Sequence, residues 1–485
     1  QGWGVLKVSL FDISDRTAPG MRRELYLEGS YVDARLVSGR LHLLLTAGMS
    51  PLLGISVGGL PEIAVDPPPM AVGAATPSTE SFPTYLDLRY SDGVAMPVTD
   101  LLCSCENVYR PTLPAGSGIL TLLTLDLADP LGDLQSVSIL GNQGTVYASE
   151  ENLYVVSTNS DAWLWWPLEA GIASQPSTTS QIHRFSLGAT PRYAGSGSVP
   201  GWILNRYSLD EEGDVLRVAT TEPGWVSNTL PVNRLTTLQL GEDELIPLGS
   251  LEGLGKPGES IFAVRLLGER GYVVTFLQTD PFYVLDLSDP QQPKTLGELE
   301  VPGFSTYLHP VDADHLLAIG RDDGMKLSLY NVQDGNNPTE VATLSLGAEI
   351  SSTAEYDPHA FNYFSRNQML AIPVTSWGSD VLDVTGYSLS SRLELFKIDP
   401  TSGITPYGQV DHSRFYREEE TSLWYTAETV TRSYFASSES FDYLYSLSPR
   451  GLQVNRLDLL EPPLVQIDLP AEPIYWSEPI MTVTP

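Results

Sequence analysis

SIFAVRLLGERGYVVTFLQTDPFYVLDLSDPQQPKTLGELEVPG, residues Ser260–Gly303, holds four strand-like runs within about 45 residues. IFAVRLL, GYVVTFL, FYVLDL and KTLGELEV are short and rich in Val, Leu, Phe and Tyr, and turn residues separate them. The next stretch repeats the plan from Phe304, with FSTYLHPV, HLLAIGRD, KLSLYNV and EVATLSL. A turn phrase marks the repeat. It reads DISDRTAP at Asp12–Pro19, DLADPLGD at Asp126–Asp133, DLSDPQQP at Asp286–Pro293 and NVQDGNNP at Asn331–Pro338. Fainter copies stand at Lys397–Pro406 and Asp458–Pro463. Helical periodicity is nearly absent.

Repeated four-stranded units predict an all-β chain, a β-propeller of four-stranded blades forming one domain over residues 1–485. Other first strands are expected near Ser30, Gly144, Trp202, Ser352 and Ser422. Eight blades are favoured, with seven the alternative. The first blade reads as incomplete, because VLKVSLFDI and MRRELYLEG resemble only the outer half of a unit. Its inner strands would come from residues outside this sequence, from the tail Ala471–Pro485, or from another chain. Met49–Ser117 breaks the rhythm with Pro- and Ser-rich segments and reads as an irregular insertion. Trp163–Trp166, WLWW, lie in a second irregular stretch and suggest either a blade plug or a platform for a sugar.

The formal net charge is −33, from 27 basic and 60 acidic residues. Such a surface repels phosphate backbones, so nucleic acid is a poor partner. No run of eighteen apolar residues exists to span a bilayer. The acidity suits a salty exterior and permits, without specifying, cation sites. The two cysteines, Cys103 and Cys105, form a C-x-C pair read as a candidate local disulfide.

Polar residues on first strands are the natural site candidates, because those strands line a propeller's axis. Asp33, Arg35, Asn205, Arg206, Arg265 and Arg321 are read as a polar plug, with Arg321 and Asp322 paired. His309, His359, Asp357 and Asp322 form an alternative metal site, since His and carboxylate together suit zinc, iron or manganese. The plug is the preferred reading. Calcium is the more plausible ion, because the turn phrases offer hard oxygens, as at Asp312–Gly324. No signature of a nucleophile elbow, phosphate loop or zinc helix occurs, so no catalytic residue is assigned.

Several segments resemble a family of secreted bacterial and archaeal proteins named for their β-propeller domain. They include LEGSYVDARLVSGRLHLLL at Leu27–Leu45, SVPGWILNRYSLDEEGDVLRVATT at Ser198–Thr221, PGFSTYLHPVDADHLLAIGRD at Pro302–Asp322 and AEYDPHAFNYFSRNQMLAIPV at Ala354–Val374. The resemblance implies an exported propeller of no agreed activity. The family tends to carry a His after the Asp at the place of Asp357. Pro358 stands there instead, which weakens a metal role. The expected function is a non-catalytic binding or assembly module, extracellular, at the cell surface or in the periplasm. Its partner would be another protein or a second copy, with strand complementation as one means of joining. The alternative is a metal-dependent hydrolase or oxidoreductase.

Overall fold

The computed structural model describes residues 4–48, 82–91, 94–111, 116, 118–160, 178–224, 230–277, 280–378, 388–415 and 430–470. These residues form eight antiparallel sheets of four principal strands each, divided between two compact units. The first unit comprises Gln1–Ser260, Leu266–Glu269 and Leu287–Pro293; the second comprises Ile261–Arg265, Arg270–Asp286 and Lys294–Pro485.

The first unit carries the first four sheets. The third is built from Thr145–Ala148, Asn152–Ser160, Thr178–Ser186 and Arg192–Pro200. The fourth is built from Leu209–Glu212, Val215–Glu222, Val232–Leu240 and Leu245–Leu254. Facing sheets are held by apolar side chains that alternate along each strand. Between the second and third sheets, for example, Leu44, Leu120 and Ile139 meet Leu153, Val155 and Phe185.

The sheets that the clearest repeats predict come next along the chain. Ser260–Leu267, Arg270–Phe276, Asp280–Asp286 and Lys294–Val301 form the fifth sheet. Phe304–Pro310, His315–Arg321, Met325–Asn331 and Thr339–Gly347 form the sixth. In the seventh, Ile350–Ser351 and Asn362–Phe364 share the first place, both pairing with Met369–Gly378, and Ser388–Asp399 and Gly403–Asp411 follow. The eighth consists of Arg432–Ser437, Asp442–Ser448, Gly451–Arg456 and Val465–Asp468.

The recurrent turn phrase has a local cause. In five copies an Asp side chain accepts a hydrogen bond from the backbone N–H two residues on. Asp12 receives Ser14, Asp126 receives Ala128, Asp289 receives Gln291, Asp334 receives Asn336 and Asp399 receives Thr401, all at 2.8–3.0 Å. The phrase needs no metal to hold its shape.

The first sheet corrects the sequence reading. Val5–Asp12 and Gly20–Glu28 are its first two strands, not its outer half. Thr84–Ser91 and Val94–Leu101, from within the supposed insertion, complete it. Gly20–Glu28 is therefore paired on both sides, with Leu27 opposite Leu6 and Tyr85. The chain enters the second sheet through Ser30–Val37 and Arg40–Ala47, crosses back to finish the first, then returns with Ile119–Asp126 and Gln135–Leu140. Val108–Tyr109 adds a parallel fifth strand beside Ser138–Ile139. The first blade is thus complete within this chain, and no strand from another chain is needed to fill it. The tail Ala471–Pro485 lies outside the described residues.

The crossover is locked by charge. Arg23, on the second strand, grips Asp87, on the third, through two bonds of 2.8 Å. Both side chains are fully buried. The remaining Arg23 donor reaches the carbonyls of Pro130 and Gly132 in the second sheet's turn phrase, at 2.8 and 3.0 Å.

Candidate functional site

The predicted polar residues separate into three groups. In the first unit, Asp33 sits between two cations, with Arg35 at 2.6 Å and Arg206 at 3.8 Å. The first strand of the second sheet is thereby tied to the short helix ahead of the fourth sheet. Asn205 is not part of that cluster; its side chain caps the same helix by accepting the Tyr207 N–H at 2.9 Å.

In the second unit, the expected pairing of Arg321 with Asp322 is replaced. Arg321 forms a two-pronged bond with Glu355, at 2.6 and 3.0 Å. Glu355 also closes a capping box with Ser352, which aims its carboxylate at the guanidinium. The Asp322 backbone N–H bonds the Gly324 carbonyl in the turn between second and third strands.

The proposed metal ligands do not converge. His309 lies 3.1 Å from the Tyr307 hydroxyl, and its ring packs on Phe361 and Tyr363 at 5.2 and 5.5 Å. Burial, reinforced by the charge of Arg265, lowers its pKa to about 4. His359 is more than half exposed and meets Asp357 at 3.1 Å. The other Asp357 oxygen is taken by Arg432 at 2.8 Å. Burial opposes the Asp357 carboxylate, but the His359 N–H and the charge of Arg432 hold its pKa below the usual range. A carboxylate spent on an arginine is a poor metal ligand. Among the described residues no three His, Cys, Asp or Glu side chains come together as a metal set. The Asp312 oxygens, part of the calcium candidate, are occupied by His315 and the Asp314 N–H.

The cysteines also differ from expectation. Cys103 is buried and Cys105 exposed, and both are free thiols. They flank Ser104 at the start of a short helical turn that sends one side chain inward and the other outward. Burial raises the Cys103 thiol pKa. Trp163–Trp166 fall outside the described residues.

The feature that sequence reasoning missed is a cavity of about 590 Å³ between the second and third sheets. Its walls are Tyr31–Val32 on one first strand, Asn142–Thr145 in the connection to the next, and Val156–Thr158 on the second strand. None of these residues carries an ionisable acid or base, apart from the Tyr31 phenol. Gly144 makes the geometry possible. A Cβ there would stand 2.0 Å from the Val156 carbonyl oxygen, so only glycine lets the connection come this close.

One polar row starts at this cavity's wall and continues along the sheet behind it. Ser157 lines it, and Gln181 is its direct cross-strand neighbour; His183 follows on the same face, opposite Val155. Their exposures are 8%, 7% and 2%. Ser157 Oγ, Gln181 Oε1 and His183 Nε2 are buried atoms without a hydrogen-bond partner. The other His183 nitrogen is held by the Tyr193 hydroxyl at 3.2 Å. Burial lowers the His183 pKa to about 4, so the imidazole is neutral at ordinary pH. Buried polar atoms nearly always find partners, and three unmet ones on one face are a cost a ligand could remove. In LYVVSTNS the only trace is a serine where the apolar run gives way to polar residues, which any strand could show.

Repeated four-stranded sheets of this kind define a propeller. The chain belongs to the beta propeller domain family, whose family model matches residues 3–460. A protein named as uncharacterized from Methanocaldococcus jannaschii is 42% identical over 180 residues, 37% of this chain and 28% of that protein. Another, from Archaeoglobus fulgidus, is 43% identical over 195 residues, 40% of this chain and 29% of that protein. The match thus spans less than a third of either relative's length. Among solved structures, the chain is similar to an acylaminoacyl peptidase of Pyrococcus horikoshii. The identity is 11% and the TM-score 0.34, over 88% of this chain and 57% of that one. It is similar also to Sqt1 from Chaetomium thermophilum, at 10% identity and a TM-score of 0.29, over 52% and 69%. No helix among the described residues is long and apolar enough to cross a membrane.

Proposed function

We propose that this propeller is a non-catalytic, exported binding module that holds a small polar ligand, or the end of a larger one, in the cavity between its second and third sheets. The observation carrying this reading is Ser157, which lines the cavity with a buried hydroxyl that has no hydrogen-bond partner, with the unmet Gln181 and His183 atoms behind it on the same face. A rigid pair of sheets supplies walls that need little ordering on binding. Export is supported by the acidic surface, with a net charge of −33, and by the resemblance to secreted propellers. Self-assembly by strand complementation loses its ground, because the first sheet is filled by Thr84–Leu101.

The test is a thermal-shift screen with soluble neutral and charged metabolites. It is run on the wild type and on Gln143→Trp, an exposed wall position where an indole obstructs the cavity. A ligand at a hundred times its Kd adds about 2.7 kcal/mol, enough to raise Tm by a few degrees. The expected result is at least one such compound, with its shift lost in the variant. No shift, or equal shifts in both proteins, refutes the reading.

A further inference from the structure

The cavity's chemistry narrows the ligand. Its described walls present hydroxyls and amides from Asn142, Gln143, Thr145 and Ser157, and no carboxylate, ammonium or guanidinium. A charged ligand would find no counter-ion there, and an anionic one would also oppose the chain's net charge of −33. The nearest strong charges on the same strand, Asp33 and Arg35, are spent on each other and on Arg206. An apolar ligand would leave the Ser157 hydroxyl as unmet as before. At the rim stands Tyr31, 54% exposed, an aromatic face on which a ring with axial C–H groups can lie. Hydroxyl groups that both donate and accept suit this mixture of donors and acceptors best.

We infer that the site takes a neutral saccharide, one sugar ring seated against Tyr31 with its hydroxyls reaching Ser157 and the amides of Asn142 and Gln143. This rests on the reading of the cavity as a binding site. The volume of about 590 Å³ accommodates one or two sugar rings.

The test uses the full chain on an array of neutral, N-acetylated and sulfated glycans, followed by titration calorimetry with the best neutral oligosaccharide. Two variants are compared, Ser157→Ala and Tyr31→Ala. Ser157→Ala removes a buried hydroxyl that has no partner in the protein, so it leaves Tm unchanged or raises it. If the hydroxyl serves the sugar, the same variant weakens binding about tenfold, the loss of one good hydrogen bond. Tyr31→Ala weakens binding by about three- to tenfold through loss of the ring face. A purely structural serine would lower Tm on replacement without altering affinity. Absence of neutral glycan binding overturns the inference, as does binding indifferent to both variants, or a preference for sulfated glycans. If a non-sugar compound from the thermal screen loses its effect in Gln143→Trp, the saccharide is refuted while the cavity stands as the binding site. If no compound depends on the cavity, both readings fall.

Discussion

Replacing Asp87 by alanine tests the least expected element of the fold, the return of the chain to complete the first sheet. In the native protein the Arg23 guanidinium is fully buried and bonded twice to Asp87 at 2.8 Å. At that separation the attraction is about 6 kcal/mol for an effective dielectric constant of ~20. Much of it offsets the desolvation of both ions, so the pair itself adds little net stability. Removing one partner is different, because the desolvation cost of Arg23 stays and the compensation goes. Two carbonyl contacts, Pro130 and Gly132, remain to it. A loss of about 3–5 kcal/mol is expected. With a urea m-value of about 2–3 kcal/mol/M, the unfolding midpoint falls by roughly 1–2 M. The loss should hardly change with added salt, since a dry pair is weakly screened. The double replacement Arg23→Met with Asp87→Leu should recover much of it, less the bond of 2.8 Å that Arg89 also makes to Asp87. A single-variant loss below about 1 kcal/mol would refute the argument, since exposed pairs cost no more than that. It would mean that Thr84–Ser91 does not bury its aspartate against the second strand.

Three further expectations follow from the same structure. His183, His309 and His412 have pKa values lowered to about 4, each chiefly by burial. The unfolded chain therefore binds protons from about pH 6.5 downward while the native one does not. Their contribution to stability is complete above that pH, declines as pH falls and levels off near 4, by on the order of 2–3 kcal/mol for each of the more deeply buried His183 and His412. Urea midpoints measured from pH 7 to pH 4 should show this slope. His412→Gln, which spares contacts to Ser446 and Ser448, should flatten it, and a pH-independent midpoint would refute it. Native alkylation should label Cys105 quickly and Cys103 only after unfolding, as read by intact mass; a chain that accepts no label until reduced would restore the disulfide. Chelation with EDTA should leave Tm unmoved, because the turn aspartates are already satisfied by their own backbone; a fall of several degrees would reveal a bound cation.

The repeats and their four-stranded units were legible from residue order alone, and the favoured count of eight, with seven the alternative, matches the eight sheets among the described residues. Strand alternation and aspartate-capped turns are local, so FYVLDLSDPQQP carries its own conformation wherever the chain takes it. The first sheet was not legible in the same way. TYLDLRYSDGVAMPVTD at Thr84–Asp100 has two strand-like runs around an Asp-Gly, but Pro- and Ser-rich flanks hid them. Which strand they join depends on a partner about sixty residues away, and only the buried bond of Arg23 to Asp87 reveals it. The same limit applies to Arg321, whose reading with adjacent Asp322 ignored Glu355 across the next turn. His309, His359, Asp357 and Asp322 form no metal cluster among the described residues for a related reason: matching residue types on neighbouring strands does not bring their side chains to one point. The cavity beside Ser157 depends on tertiary structure most of all. A serine in a strand is chemically mute until a facing sheet buries its hydroxyl and leaves it nothing in the protein to bond.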